Sequence, residues 1–267
     1  MYEWFKGSIR YKTKFHTLAF VDALLEMAQL AGIAASAVLR EYVTKSNAVT
    51  IKADDSPVTQ ADFAAHRIIV EHLASSLIPV VSEEDGVDDD YVPHHRFWLI
   101  DPLDGTKEFI RNRPDFTVNI ALIDHGIPVL GVIAIPMRYE VWYGSAATGV
   151  LLYNEQTRQS HAVSPEEHAP RLVVSRSHPH PALDRFIEKE RSLNAALTVE
   201  AHGAATKFCE VIQRQNTRYV RFSPCMIWDV AAGDALLRAA NRKMVYFDGK
   251  TLDYRNRIQR VPPFIAG

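Results

Sequence analysis

Residues 97–110 read FWLIDPLDGTKEFI, an apolar run that ends in two aspartates three apart and is followed by Gly-Thr. Pro102 removes a backbone donor and restricts Asp101, so the chain is expected to turn there. In such a turn the Asp101 carboxylate, the Leu103 carbonyl and the Asp104 carboxylate can converge, and three hard oxygens from one short loop suit Mg²⁺. Gly105 lets the backbone approach an anionic ligand closely. Thr106 to Ile110 reads as a helix start, whose free N–H groups can hold phosphate oxygens. Taken alone, Asp101 would simply begin a turn and Asp104 would cap a helix.

Three further stretches change that balance. VVSEEDG puts Glu83 and Glu84 directly after a second apolar strand, SPVTQAD puts Asp62 three residues after Thr59 at a helix start, and MIWDVAAGDALL puts Asp229 at the start of a late helix. Each has a local explanation: a Thr59/Asp62 capping box, solvated glutamates, an acid favouring a positive helix end. Together they place acids repeatedly at strand ends and helix starts. Brought together in space, such acids repel one another and resist ionising unless cations sit among them. A multi-metal phosphatase site resolves this most simply.

The elements that must position these acids follow from periodicity. Leu18, Val21, Leu25 and Ala28 fall at helical spacing within 17–40, and a second helix is expected over 61–74. Strands are expected at 79–82, 97–100, 116–123, 128–135, 141–145 and 150–154, separated mostly by Gly, Pro or acidic clusters. Residues 155–170 turn polar and proline-containing, and a sub-domain boundary is placed there, dividing 1–158 from 159–267. Beyond it RLVVS, LTVE, YVRF and KMVYF read as strands that alternate with helices at 181–192, 203–214 and 227–240. Strands grouped first and an alternating second half predict a layered α/β sandwich. EEDGVDDD reads as a solvated loop.

Composition narrows the function classes. A net charge of −2 leaves no electrostatic footprint for nucleic acid. Cys209 and Cys225 make neither a disulfide framework nor a zinc set, which favours a reducing, cytoplasmic setting. No apolar run is expected to span a membrane, since Asp22, Glu26 and Gln29 interrupt the longest helical candidate. The N-terminal MYEWFKGSIRYKTKFH carries four Lys/Arg against one Glu. It reads as a frayed extension, with peripheral contact to an anionic membrane surface as the alternative.

With all four acidic stretches in view, the chain resembles the inositol monophosphatase-like superfamily of metal-dependent phosphatases. Within it the chain is most similar to the bacterial CysQ-type 3′(2′),5′-bisphosphate nucleotidases. The resemblance runs from about residue 20 to 255 through KADDSPVTQAD, SEED, WLIDPLDGTKEF, FTVNIALIDHG, SRSH, KFC, IWDVAAG and LDY in order. It implies the family's α-β-α-β-α sandwich, two or three Mg²⁺ ions per site and inhibition by lithium. It further implies that Glu83, Asp101, the Leu103 carbonyl, Asp104 and Asp229 bind metal, with Glu83 also orienting the attacking water. Thr106 would contact that water through its hydroxyl, held by Asp62, and the Gly105 and Thr106 amides would contact the phosphate. Leu103, Asp104 and Asp229 would also border the substrate. His178, Lys207 and Arg221 match the family's nucleotide and second-phosphate contacts, and cations of this kind suit a ligand with two phosphates.

The chain departs from the family pattern at Gly203-Ala204-Ala205, where two hydroxyls are replaced, and at Asn241-Arg242, where a glycine pair is usual. The implied reaction is hydrolysis of the 3′-phosphate of 3′-phosphoadenosine 5′-phosphate. The alternatives are the same chemistry on inositol monophosphate or fructose 1,6-bisphosphate, an aspartyl-phosphate phosphatase of the haloacid dehalogenase type, and a non-enzymatic calcium-binding protein. The aspartyl-phosphate type spaces its aspartates two apart rather than three. EDGVDDD lacks the ligand order of an EF-hand loop. Oligomeric state is left open.

Overall fold

The computed structural model describes residues 6–44, 49–51, 57–86, 95–255 and 260–267. A long helix, α1 (Lys6–Thr44), leads to a ribbon of β1 (Val49–Ile51) and β2 (Pro57–Thr59) and to α2 (Gln60–Leu73). There follow β3 (Val80–Ser82), β4 (Arg96–Asp104), the short α3 (Thr106–Ile110), β5 (Thr117–Asp124), β6 (Ile127–Ile135), β7 (Glu140–Ser145), β8 (Gly149–Asn154) and β9 (Gln159–Ala162). These seven strands form one sheet in sequential order, antiparallel except for the β3–β4 pair. The first sheet thus runs through β9, past the expected division at 158/159. QSHA was not legible as a strand because all four residues are exposed and no apolar alternation marks them.

The second half contributes β10 (Arg171–Ser175), α4 (Pro181–Leu193), β11 (Thr198–His202), α5 (Thr206–Gln213), β12 (Thr217–Arg221), β13 (Cys225–Met226), α6 (Trp228–Ala239), β14 (Met244–Tyr246), β15 (Arg260–Val261) and β16 (Phe264–Ala266). A five-stranded sheet runs in the order β11-β10-β12-β16-β14, and β13 pairs with β15. The pairings of β13, β15 and β16 were not anticipated, since two- and three-residue segments carry no readable period.

Period-2 alternation builds the layers. Along β4, Trp98 and Ile100 face α1 and α2, whereas Phe97 and Leu99 face α5 and α6. A third apolar cluster joins Leu172, Val174 and Val220 of the second sheet to Leu183 of α4. The order is therefore helix, sheet, helix, sheet, helix, the expected sandwich.

By length and composition alone Phe20–Thr44 would be able to cross a membrane, a test that the buried core helix of a globular protein also passes. Here its Ala28, Ala31, Ala35 and Leu39 stripe is buried between α2 and the sheet. The expected frayed start is helical from Lys6; residues 1–5, and with them part of the membrane-surface reading, lie outside the described residues, as does 87–94 of the acidic loop.

Small residues bring α6 onto the sheet. A Cβ on Gly131 would lie 2.5 Å from the Ala232 carbonyl oxygen, and one on Gly233 would lie 2.3 Å from the Phe208 ring. Phe208 is fully buried and has no room to yield. Gly233→Ala is accordingly expected to destabilise the fold by about 1–3 kcal/mol, read as a lower urea midpoint at unchanged m-value.

Candidate active site

The first acidic loop differs from the simple turn expected after Asp101. β4 continues through Pro102 and re-pairs at Asp104 with Thr117, with a bulge between Asp101 and Asp104. A bulge is where a strand tolerates a proline that cannot donate to the ladder. Its effect is to change the side-chain phase. Asp101 keeps the phase of Phe97 and Leu99, towards α6, while Leu103 joins the cluster under α1 and α2. The Leu103 amide donates to Asp101 Oδ1 at 3.1 Å, and the Thr106 hydroxyl donates to the Leu103 carbonyl at 3.3 Å. Gly105 sits at φ +90°, a left-handed conformation that favours glycine, and turns the chain into α3.

Glu83 opens a single 3₁₀ turn after β3. That turn carries a capping box: Ser82 Oγ accepts from the Glu84 amide and Asp85 Oδ2 accepts from the Ser82 amide. His66 Nδ1 lies 2.9 Å from Ser82 Oγ, tying α2 to the same turn. Asp229 enters from α6, its Oδ2 accepting from the Met226 amide at 3.0 Å. Glu83, Asp101 and Asp229 thereby bring one carboxylate oxygen each to within 4.8 Å of one another. Asp62, buried in the first turn of α2, adds its field to Asp101.

The electrostatics record the crowding. Burial, then Glu83, Asp104, Asp229 and Asp62, push the Asp101 carboxyl well above its ordinary range. Asp229 is pushed up to about 7 by burial and Asp104. Asp104 is raised by burial, against the opposing pull of Lys207 and Arg221. Carboxylates in this arrangement ionise together only with positive charge among them, so these residues fit a divalent cation.

A cavity of about 310 Å³ opens over this cage. Glu83, Asp104, Gly105, Thr106, Asp229, His178, Lys207 and Arg221 are all among its lining residues. Asp101, Leu103 and Asp62 are buried and are not among the lining residues. Lys207 is buried, donates from Nζ to the Ala204 carbonyl and is lowered to about 8 chiefly by burial. Arg221 donates to the Ser223 carbonyl, the Tyr219 hydroxyl and the Pro224 carbonyl. Burial, then Arg221 and Lys107, lower His178 to about 4, so it is neutral at pH 7.

The two halves are stitched beside the cavity. Arg176 pairs with Asp115, the Gly203 amide donates to Asp115 Oδ2, and the Ala205 amide donates to Thr117 Oγ1. Ser177 donates to Glu108, a buried carboxyl that also lines the cavity. Glu108 was missed from sequence. It lies inside the quoted GTKEF, but an acid early in a helix looks like an ordinary dipole partner until its burial is known. A second group, Glu200, His202 and Glu210, also clusters, but Arg171, Arg214 and Arg138 pair with its two carboxylates. It is an ion-pair network.

The inositol monophosphatase family model matches residues 21–263. The chain belongs to the inositol monophosphatase family. The 3′(2′),5′-bisphosphate nucleotidase CysQ of Escherichia coli K12 is 42% identical over 236 residues, covering 87% of this chain and 94% of the relative. The CysQ nucleotidase of Buchnera aphidicola is 35% identical, with 86% of each chain covered. The crystal structure of CysQ from Bacteroides thetaiotaomicron superposes with a TM-score of 0.79 at 29% identity, covering 91% of this chain and 96% of that one. As a phosphatase of this family the chain depends on a divalent metal, and the carboxylate cage under the cavity has the donor chemistry for one.

Proposed function

We propose that this protein is a Mg²⁺-dependent 3′(2′),5′-bisphosphate nucleotidase that hydrolyses the 3′-phosphate of 3′-phosphoadenosine 5′-phosphate to give AMP and phosphate. The observation that carries this reading is one cavity lined by both the carboxylate cage and the basic side chains of Lys207 and Arg221, in a chain 42% identical to a named nucleotidase of this type. The small-molecule nucleotide is its partner, and the setting is the cytoplasm.

Glu83, Asp101, the Leu103 carbonyl, Asp104 and Asp229 would hold two or three Mg²⁺ ions. When bound, Mg²⁺ supplies charge neutralisation and makes water a better nucleophile at neutral pH. The chain's own residues do the positioning. Glu83 and the Thr106 hydroxyl orient the attacking water, with Asp62 fixing the Thr106 side. The Gly105 and Thr106 amides hold the scissile phosphate for in-line attack, while His178, Lys207 and Arg221 receive the nucleotide and its second phosphate. Phosphoryl transfer needs little covalent help, so placement and charge carry the catalysis. We further place a sub-domain boundary within 155–170, leaving most metal ligands in the first part and Asp229 with the substrate wall in the second.

A phosphate-release panel tests the substrate. With Mg²⁺ present, kcat/KM for the bisphosphate nucleotide is expected to exceed that for inositol 1-phosphate and fructose 1,6-bisphosphate by about tenfold or more, since the first lacks a second phosphate for Lys207 and Arg221 and the second lacks the nucleoside. A preference for inositol or sugar phosphate would overturn the assignment.

A further inference from the structure

Glu108 is a buried acid in a cavity built for an anion. It is only 3% exposed, lies two residues after Thr106 and lines the cavity. Its Oε1 accepts from the Ser177 hydroxyl. Its Oε2 has no protein donor among the described residues, and it is not one of the polar atoms sealed away from solvent. No cation pairs with it among those residues, and the nearby Lys207 and Arg221 donate to other groups.

A carboxyl group can accept several hydrogen bonds, and leaving a buried one short is costly. Oε2, open to the cavity, is therefore placed to take a donor from a bound ligand in place of water. Its position says which kind. A Cβ on Gly105 would lie 3.4 Å from Oε2, and one on Gly203 would lie 2.9 Å from Glu108 Cγ. Two glycines make room for this side chain, and they hold Oε2 beside the backbone assigned to the scissile phosphate. An acidic oxygen there repels the phosphate itself. It gains where it meets a neutral donor three or four bonds from the phosphorus. On a ribose phosphate that donor is the hydroxyl of the adjacent carbon.

We propose that Glu108 Oε2 accepts a hydrogen bond from the ribose hydroxyl vicinal to the phosphate being removed, making Glu108 a specificity-determining residue that selects ribonucleotides over 2′-deoxyribonucleotides. This rests on the nucleotidase reading and refines it.

The test is a cycle between side chain and substrate. kcat/KM is measured for adenosine 3′,5′-bisphosphate and for its 2′-deoxy analogue, on wild type, Glu108→Ala and Glu108→Gln. A hydrogen bond to a charged group predicts a wild-type preference for the ribonucleotide of about tenfold or more. The preference is expected to shrink severalfold in Glu108→Gln and to vanish in Glu108→Ala. Equal use of the two nucleotides by wild type overturns the contact without need of any variant, as does a preference that survives intact in Glu108→Ala. Wild type inactive on both nucleotides overturns the nucleotidase reading, and the contact falls with it.

Discussion

Asp104→Asn is expected to lower phosphate release by about a thousandfold or more while the fold persists. The substitution keeps shape, and the side-chain oxygen can still accept from Asn119 Nδ2, which now lies 3.3 Å from Asp104 Oδ2. What it removes is the negative charge that a hard divalent cation requires of its ligand. Stability should not suffer, because burial already raises the Asp104 carboxyl above its usual 3.8. Steady-state kcat with saturating Mg²⁺, set beside a thermal melt in chelator, separates the two effects. Turnover within a few-fold of wild type would remove Asp104 from the metal site.

The second large effect concerns the metal-free protein. Asp101 and Asp229 have carboxyls raised in the folded state, Asp229 to about 7 and Asp101 well above its ordinary range. Between the unfolded and folded values the native state binds more protons than the unfolded chain, so stability falls as pH rises through the folded values. Other groups oppose this outside one window. His178, lowered to about 4, adds stability as pH rises to its usual 6.5, and Lys207, lowered to about 8, does so above 8. From pH 6.5 to 8 the raised carboxyls dominate. A loss of about 2 kcal/mol, or about 5 °C in melting temperature, is expected across that window in chelator. Mg²⁺ should abolish the slope by binding only the folded cage, and Asp101→Asn should flatten it without metal. A melting temperature that rises over this window in chelator, or ignores Mg²⁺, would mean that the acids do not share one field.

Much of this was legible from residue types. An irregular loop after β4 was announced by Pro102 between two aspartates and by Gly105 after them, and most strands of the first sheet by short β-rich apolar runs between Gly, Pro and acidic clusters. The loop's geometry was misread because proline was taken as ending the strand, whereas β5 carries the pairing past it through Asn119 and Thr117. Short closing strands such as β13 and β15 have no local signature, since their pairing is chosen by the partner chain segment.

From its primary structure alone this protein declares its longer secondary elements, its layered class and which acids have ligand chemistry, because backbone preference and donor type are properties of a residue and its near neighbours. Only the folded molecule decides that Asp229 meets Glu83 and Asp101, because that depends on α6 settling onto β6 at Gly131 and against Phe208 of α5 at Gly233. It alone decides that Lys207 is buried against the Ala204 carbonyl and that Glu108 keeps an oxygen for the cavity. Burial and charge coupling are set by long-range packing, and no local stretch of sequence encodes them.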